Sequence, residues 1–206
     1  MPHASSLWRG RAPLLLASTS PTRRALLASA GLDPEIRSPG VDERAVEAAA
    51  TGLSPEGLAE RLAEAKAASV ASVAPDRVVI GADQVLDLDG AVFHKPADRQ
   101  GAAAHLARLQ GRTHALHSAV ALAIDGAVVE RFVATARLTM RPLDVAGLDA
   151  YLDAAGPAVT GSVGAYQLEG VGIHLFDRIE GDHSTILGLP LLPLLARLRG
   201  RGLLAF

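Results

Sequence analysis

The stretch Leu14-Leu-Leu-Ala-Ser-Thr-Ser-Pro-Thr-Arg-Arg-Ala-Leu-Leu-Ala-Ser-Ala30, which is followed by Gly31, decides the fold of the chain. Its first four residues, Leu14 to Ala17, form a short apolar run that is typical of a buried strand. Ser20 and Pro21 are residue types favoured at a helix N-cap and at the first helical position. The stretch therefore predicts a strand that turns directly into a helix. The free N–H groups of that helix would lie at the carboxyl end of a strand, where α/β proteins bind ligands.

Two adjacent arginines make this stretch informative about function. Arg23 and Arg24 fall in the first turn of the predicted helix, where the partial positive charge of the helix N-terminus disfavours a cation. One interpretation is that both side chains simply extend into solvent. The other is that a bound anion offsets their charge, and it is favoured because Ser18 and Ser20 lie at the same place. The stretch therefore predicts a phosphate site.

The composition indicates an ordered α/β protein with one sizeable core. A chain of 206 residues, 49% of them hydrophobic and 20% charged, can fold as a single domain or as two lobes that share a sheet. We expect residues 1–13 to form a frayed N-terminal tail. Residues 14–206 contain no evident linker, and we expect them to form a single domain of two lobes.

Charge and residue usage exclude several classes of function. The formal net charge of -2 provides no general attraction to nucleic acid or to an anionic membrane, and an aromatic content of 3% leaves few stacking platforms. The absence of cysteine excludes disulfides, thiolate metal sites and a cysteine nucleophile, and it agrees with a reducing cytoplasm. No apolar run approaches the roughly 20 residues that span a bilayer. We therefore expect a cytoplasmic protein with no nucleic-acid partner and no membrane partner.

A carboxylate and a lysine flank a predicted hairpin. A β-branched run from Arg77 to Ile80 predicts a buried strand that breaks at Gly81-Ala82-Asp83. Asp83 would then lie near a strand end, either as a turn carboxylate that caps backbone N–H groups or as a functional group. The dipeptide Asp89-Gly90 is typical of a tight hairpin turn, and Asp125-Gly126 predicts the turn of a second hairpin. Because Asp89-Gly90 lies about midway between Asp83 and Lys95, the first hairpin is predicted to bring Lys95 back toward Asp83.

Other polar residues lie on a helix, in a loop and in an extended segment. Lys66 lies on the inward face of a helix predicted to begin near Ser54-Pro55. Its side chain could project into a cleft, or it could extend into solvent from the edge of the apolar stripe. Helical spacing alone favours the second interpretation. The glycine-rich segment from Gly156 to Gly172 contains Glu169 and fits a mobile binding loop. His114 and His117 have no evident third ligand, so a histidine metal site is disfavoured.

The ionisable candidates together fit a polyphosphate ligand. Carboxylates can hold a hard cation such as Mg²⁺, cationic side chains can neutralise a phosphate chain, and a remaining carboxylate can accept a proton from attacking water. Residue patterns alone predict no more than a soluble α/β protein with an anion site. The candidates are Arg23, Arg24, Glu43, Lys66, Asp83, Lys95 and Glu169.

Seven short blocks resemble, in order, the signature blocks of the Maf family. The resemblance extends over nearly everything from Leu14 to Leu198, and so many blocks in the same order are a specific signal. The blocks are Ala-Ser-Thr-Ser-Pro-Thr-Arg-Arg (Ala17–Arg24), Val-Asp-Glu (Val41–Glu43), Ala-Lys-Ala (Ala65–Ala67), Ile-Gly-Ala-Asp-Gln-Val (Ile80–Val85), Lys95-Pro96, Gly-Ala-Tyr-Gln-Leu-Glu-Gly (Gly164–Gly170) and Leu-Gly-Leu-Pro (Leu187–Pro190).

The resemblance implies a house-cleaning nucleoside triphosphate pyrophosphatase, which hydrolyses a nucleotide to its monophosphate and pyrophosphate. It also implies a two-lobed α/β fold of the Maf and inosine-triphosphatase type, with a long mixed sheet and a central cleft. A divalent metal cation, Mg²⁺ or Mn²⁺, is the implied cofactor, a nucleoside triphosphate is the implied substrate, and a homodimer is the implied assembly.

Site roles carried over from the resemblance fall into three groups. Asp83 would accept the proton of water attacking the α-phosphorus or would hold the metal that activates this water. Glu43 would assist metal binding, and Lys95 would complete the catalytic set and contact phosphate. The phosphate-binding side chains would be those of Ser18, Ser20, Arg23, Arg24 and Lys66.

Three positions divide the family by substrate. Members that act on dTTP and UTP tend to have arginine, threonine and glutamine where this chain has Thr22, Gln84 and Glu169. Members that act on 7-methyl-GTP tend to have tryptophan, glutamine and glutamate there, so two positions match this type and Thr22 matches neither. A carboxylate at Glu169 also suits the adjacent N–H donors of guanine better than it suits uracil.

The sequence therefore predicts a pyrophosphatase with a preference for 7-methyl-GTP. Two alternatives stay open at this point. One is a dTTP and UTP pyrophosphatase of the same family. The other is a non-catalytic nucleotide-binding regulator of septum formation, which would need the arginines but neither Asp83 nor Glu43.

Overall fold

The computed structural model describes residues 7–206, and this part of the chain forms a mixed α/β structure. The strands are β1 (Leu15–Ala17), β2 (Glu35–Ile36), β3 (Val79–Leu88), β4 (Ala91–Phe93), β5 (Thr113–Ile124), β6 (Ala127–Met140) and β7 (Phe176–Glu180). They form a seven-stranded sheet with the strand order β2-β1-β3-β5-β6-β7, in which β4 pairs with β3. Strand β1 is parallel to β2 and β3, whereas β4 is antiparallel to β3 and β7 is antiparallel to β6.

Seven α-helices and two 3-10 helices complete the described part of the chain. The predicted α/β class with a long mixed sheet is confirmed, and the central cleft stays a prediction. No helix in residues 7–206 combines the length and the apolar character needed to cross a membrane. The α-helices are α1 (Pro21–Ser29), α2 (Glu43–Ala49), α3 (Pro55–Ala71), α4 (Arg99–Leu109), α5 (Val145–Ala155), α6 (His183–Ile186) and α7 (Leu191–Gly200), and the 3-10 helices are Gly156–Thr160 and Val171–Leu175.

The chain divides into two compact units. The first consists of the described part of Met1–Gln84 together with Ser118–Ala134 and His183–Phe206. The second consists of Val85–His117 and Thr135–Asp182. A single domain from residue 14 to residue 206 stays a prediction.

The strand-to-helix turn at the start of the first unit is confirmed. Ser20 has extended backbone angles and its side chain accepts a hydrogen bond from the Arg23 N–H, so it is the N-cap of α1, and Pro21 is the first helical residue. Burial of β1 and of one face of α1 in the core of this unit fixes the turn. The core includes Leu14, Leu16, Leu27, Ile80, Val120, Leu122, Leu189, Leu194 and Leu198.

The predicted strand break at Gly81 is wrong. Strand β3 continues from Val79 to Leu88, so Asp83 lies within the strand and not near its end. Gly81 is required for close packing, because a Cβ at this position would lie 2.3 Å from the Ala63 carbonyl oxygen and 2.6 Å from the Ala67 nitrogen. A glycine inside a strand can therefore mark a close helix approach as well as a turn.

The expectation of a frayed tail is wrong for residues 7–13. Trp8 forms an antiparallel bridge with Leu204. The Trp8 indole N–H also donates to the Ala12 carbonyl at 2.8 Å, and the Arg9 N–H donates to the Leu203 carbonyl at 3.0 Å. The C-terminal segment therefore supplies the partner that the sequence pattern did not reveal. Residues 1–6 of the predicted tail lie outside the described residues.

The two predicted hairpin turns are confirmed. Asp89-Gly90 and Asp125-Gly126 both have positive φ angles, between 52° and 83°, as a tight two-residue hairpin turn requires. In the second unit, the segment from Gly156 to Gly172, which was predicted as a binding loop, contains the 3-10 helix Gly156–Thr160 and the first residues of the 3-10 helix Val171–Leu175.

Candidate functional site

A buried lysine and two carboxylates form the centre of the candidate site in the first unit. Lys66 Nζ lies 2.5 Å from Asp83 Oδ1 and 2.7 Å from Glu43 Oε1. Lys66 and Asp83 are 6% and 7% exposed, whereas the Glu43 side chain is 56% exposed. Lys66 therefore does not extend into solvent from the edge of an apolar stripe, as helical spacing alone favoured. It neutralises a buried carboxylate.

Three elements of the first unit position these side chains. Helix α3 approaches β3 closely at Gly81, and this contact brings Lys66 to the strand that carries Asp83. Glu43 is the first residue of α2. The Asp42 side chain caps that helix by accepting a hydrogen bond from the Ala45 N–H at 3.0 Å. Local helix capping therefore directs Glu43 toward the buried lysine.

Opposing electrostatic effects act on Asp83. Burial raises the pKa of Asp83 above its usual value, the cations Lys66 and Arg23 lower this pKa, and the nearby Glu43 raises it. The net direction is upward, because the cost of burying the carboxylate outweighs its stabilisation by the two cations. A buried carboxylate with a raised pKa has the proton affinity that suits a proton acceptor in catalysis.

Arg23 is held by acceptors of the protein itself. Its Nε donates to the Gly188 carbonyl at 2.9 Å, and its Nη1 donates to the Ala82 carbonyl at 2.9 Å and to Ser18 Oγ at 3.3 Å. Burial lowers the pKa of Arg23, and the nearby carboxylates of Asp83 and Glu43 oppose this effect. Nη2 takes part in none of these bonds. The guanidinium is thus oriented before any anion is bound.

The remaining candidates on the strand-to-helix turn differ in exposure. Ser18 is buried and its hydroxyl accepts from the Ser20 N–H at 3.2 Å, so both serines take part in the capped turn. Arg24 is exposed, and Thr22 is half-buried. The structure therefore brings Ser18, Ser20 and Arg23 into one hydrogen-bonded cluster and leaves Arg24 in contact with solvent.

Gln84 forms a network that sequence reasoning did not find. Its Nε2 lies 2.9 Å from Ser118 Oγ, 3.1 Å from the Thr185 carbonyl and 2.9 Å from the Ile186 carbonyl. The Ser118 hydroxyl donates in turn to the Thr185 carbonyl at 2.7 Å. Ser118 lies within the apolar strand β5. A single serine in such a strand does not predict a hydrogen bond to Thr185, which lies more than 60 residues away along the chain.

Two predicted site residues lie in the second unit. Lys95 is exposed and follows β4, and Glu169 is exposed in a turn that follows Tyr166. Tyr166 is buried, and its hydroxyl lies 2.6 Å from His114 Nε2. The approach of Lys95 to Asp83 therefore stays a prediction, as do the assigned roles of Lys95 and Glu169.

The chemistry of the donor set fits a divalent metal ion. Asp83 and Glu43 supply carboxylate oxygens, and Mg²⁺ is often bound by one or two carboxylates together with water and substrate phosphates. No group of three or more potential ligands of the His, Cys, Asp and Glu types occurs within residues 7–206. His114 and His117 contact Tyr166 and Thr135, respectively.

Comparisons with known proteins identify close relatives. The family model described as "Maf-like protein" matches residues 13–201. A protein named "Nucleoside triphosphate pyrophosphatase" from Nitrobacter winogradskyi is 57% identical over 97% of this chain and 99% of its own length. A protein named "7-methyl-GTP pyrophosphatase" from Mesorhizobium japonicum is 53% identical over 92% of this chain and 96% of its own length.

A solved structure shows a weaker similarity. It is titled as a nucleoside-triphosphatase and dITP/XTP pyrophosphatase from Mycobacterium abscessus. The alignment has 20% identity and a TM-score of 0.42 over 93% of this chain and 92% of that one. The family of the chain is therefore identified from the family model and the sequence relatives, and not from this structural similarity.

Proposed function

The chain belongs to the Maf family, and from that premise we propose that Asp83 is the catalytic carboxylate of a nucleoside triphosphate pyrophosphatase, a hydrolase acting on acid anhydrides. The substrate is a nucleoside triphosphate, and the products are a nucleoside monophosphate and pyrophosphate. The observation that supports this role is the burial of Asp83 against the ammonium group of Lys66 at 2.5 Å. Burial raises the pKa of this carboxylate, which makes it more basic, and the adjacent cation opposes that rise.

The proposed reaction breaks the bond between the α-phosphorus and the oxygen that bridges to the β-phosphate. The oxygen of a water molecule forms a bond to the α-phosphorus, and Asp83 accepts a proton from that water. The bridging oxygen leaves with the electron pair of the broken bond, as part of pyrophosphate. Cationic groups that contact the phosphate chain stabilise the negative charge that develops on it.

We assign the phosphate chain to the strand-to-helix turn. The Thr22 N–H in the first turn of α1, the Ser18 and Ser20 hydroxyls and the exposed Arg24 side chain supply donors there, because Pro21 has no N–H and the N–H groups of Arg23 and Arg24 are bonded to Ser20. Arg23 contributes through Nη2, because Nε and Nη1 are bonded to protein oxygens. Lys66 and Lys95 are the further cations of this proposal.

A divalent cation, Mg²⁺ or Mn²⁺, belongs to the proposal. Glu43 and Asp83 would hold it through carboxylate oxygens, and when bound it would neutralise phosphate charge and lower the pKa of attacking water. In the structure these carboxylates contact Lys66. When the cation binds, Lys66 therefore either shares the carboxylates of Glu43 and Asp83 with it or leaves them to contact a phosphate group of the substrate.

The preferred base is proposed to be 7-methylguanine. Glu169 is exposed and its carboxylate can accept hydrogen bonds from the two adjacent N–H donors of guanine. Relatives named "7-methyl-GTP pyrophosphatase" from Mesorhizobium japonicum and Rhizobium meliloti are each 53% identical to this chain. Thr22 is the position that does not match this subgroup, and dTTP and UTP are the alternative substrates. A cytoplasmic location and a homodimer complete the proposal.

A substrate panel with identified products tests the proposed function. The purified protein is incubated with 7-methyl-GTP, GTP, dTTP, UTP and ATP in the presence of Mg²⁺ or Mn²⁺, and the products are separated by chromatography. We expect a nucleoside monophosphate and pyrophosphate, with the highest kcat/KM for 7-methyl-GTP. A higher kcat/KM for dTTP or UTP would contradict the base preference only, whereas orthophosphate with a diphosphate would contradict the reaction itself.

A further inference from the structure

We propose that Gln84 and Ser118 are positioning residues, which hold the Thr185–Gly188 segment in place so that the Gly188 carbonyl can orient the Arg23 guanidinium toward the phosphates of the substrate. The inference rests on the proposed function and assigns Gln84 a task other than reading the base. All of the residues concerned lie in the first unit.

Three protein acceptors surround the side-chain amide nitrogen of Gln84. A side-chain amide has two N–H groups, and here three oxygens lie within 3.1 Å of Nε2. These oxygens are Ser118 Oγ and the carbonyls of Thr185 and Ile186. Since both N–H groups point at protein acceptors, neither is left to donate to a nucleotide base.

Ser118 extends the hydrogen bonds of Gln84 into a ring. This residue is completely buried, and its hydroxyl accepts from Gln84 while donating to the same Thr185 carbonyl that Gln84 contacts. The arrangement closes a small ring of hydrogen bonds between β3, β5 and the C-terminal end of α6. Buried polar groups with all partners satisfied restrict a segment to one geometry.

The segment that Gln84 and Ser118 hold also contacts Arg23. The Thr185–Gly188 segment ends at Gly188, which has a φ of +92° and whose carbonyl accepts from Arg23 Nε at 2.9 Å. Arg23 Nη1 donates to the carbonyl of Ala82, the residue before Asp83. Arg23 therefore joins the fixed segment to the strand that carries the catalytic carboxylate, and Nη2 remains for a phosphate oxygen.

The test separates binding of the phosphate chain from selection of the base. Gln84→Glu removes both donors and places a carboxylate against three oxygens, and Ser118→Ala removes one hydroxyl with little change in volume. The control is Ser69→Ala, because the Ser69 hydroxyl also donates to a backbone carbonyl of the first unit, that of Pro39, at 2.6 Å. Inorganic tripolyphosphate, which has no base, serves as the probe of phosphate binding.

Two quantities are measured for each variant: the inhibition constant of tripolyphosphate and the ratio of kcat/KM for 7-methyl-GTP to that for UTP. We expect the inhibition constant of tripolyphosphate to rise by about tenfold or more in Gln84→Glu and Ser118→Ala, whereas the substrate ratio of these two variants stays unchanged. In the control Ser69→Ala, the inhibition constant should also stay unchanged. Thermal melting of each variant shows whether it is folded at the assay temperature, and Ser118→Ala is the milder of the two changes.

The inference is overturned if tripolyphosphate inhibits Ser118→Ala as it inhibits the wild type, or if Gln84→Glu changes the substrate ratio. Its failure is distinguishable from failure of the proposed function. If the wild-type protein releases no pyrophosphate from any nucleotide, the proposed function is wrong. If the wild type releases pyrophosphate but the variants do not show the expected pattern, only the positioning role is wrong.

Discussion

Lys66 Nζ and Asp83 Oδ1 lie 2.5 Å apart, with both side chains buried. This pair joins helix α3 to strand β3 at the point where Gly81 lets their backbones approach. Removing one partner of a buried ion pair leaves an uncompensated charge, which costs far more than loss of a surface pair. The stability of this part of the fold therefore depends on the ionisation of Asp83, the proposed catalytic carboxylate.

The pH dependence of activity should respond to loss of Lys66. Lys66→Met removes the cation that most strongly lowers the pKa of Asp83, so this pKa rises further above its usual value. Because the carboxylate must be ionised to accept a proton, the acid limb of kcat/KM against pH should move to higher pH. Arg61→Met is the control, since Arg61 is an exposed cation on the same helix. If the acid limbs of the wild type and Lys66→Met coincide, the contact between Lys66 and Asp83 does not determine the pH dependence of kcat/KM.

Gly81→Ala should destabilise the protein. A Cβ at this position would lie 2.3 Å from a backbone oxygen of α3, so helix and strand must separate, at an expected cost of about 1 to 3 kcal/mol. The matched control is Gly57→Ala in the same helix, where the nearest atom to an added Cβ lies at 3.5 Å. Urea unfolding of both variants measures the difference. Equal stability of Gly81→Ala and the wild type would mean that the close approach is not required.

His114 should make stability depend on acid. Burial lowers the pKa of His114 from 6.5 to about 4, so the folded protein favours the neutral ring. Its Nδ1 is buried without a hydrogen-bond partner among residues 7–206, so the protonated ring, which carries an N–H on both nitrogens, would hold an unsatisfied N–H. The stabilisation is present above pH 6.5 and is lost as the pH falls toward 4; the full loss is about 3 kcal/mol.

Denaturant unfolding of the wild type and of His114→Gln at pH 7 and pH 4.5 tests this assignment. The free energy of unfolding should fall more steeply with acid in the wild type than in the variant, because glutamine does not titrate. Parallel pH dependences in the two proteins would assign the acid sensitivity to other groups.

Glu43 should contribute to metal affinity. Glu43→Gln removes one of the two carboxylates that face Lys66, and loss of a carboxylate ligand should weaken Mn²⁺ binding by about tenfold or more. Glu47→Gln is the matched control on the same helix. Calorimetric titration with Mn²⁺ measures the affinity in the absence of nucleotide. If Glu43→Gln and Glu47→Gln bind Mn²⁺ alike, Glu43 is not a metal ligand.

Local sequence signals predicted much of the fold. Ser20-Pro21, Asp89-Gly90 and Asp125-Gly126 were interpreted correctly, because caps and tight turns depend on the backbone preferences of a few adjacent residues. The role of Gly81 was predicted wrongly because only local residue preferences were available for it as well. A glycine that supports a turn and a glycine that admits a neighbouring helix look alike in sequence, and only the packing of α3 distinguishes them.

The candidate site was predicted less completely. The Maf signature blocks selected Asp83, Glu43 and Lys66, which the fold brings together, but periodicity alone favoured a solvent-directed Lys66. The contacts of Gln84 with Ser118, Thr185 and Ile186 could not be predicted. They join residues that are 34 to 102 positions apart, and a buried serine in an apolar strand has no distinctive pattern.

Hydrolysis in water labelled with oxygen-18 tests the central claim most directly. If Asp83 assists attack of water at the α-phosphorus, one labelled oxygen should appear in the nucleoside monophosphate and none in pyrophosphate. Asp83→Asn should bind nucleotide and produce neither product at a measurable rate. Label in pyrophosphate or orthophosphate, or undiminished turnover by Asp83→Asn, would contradict the account.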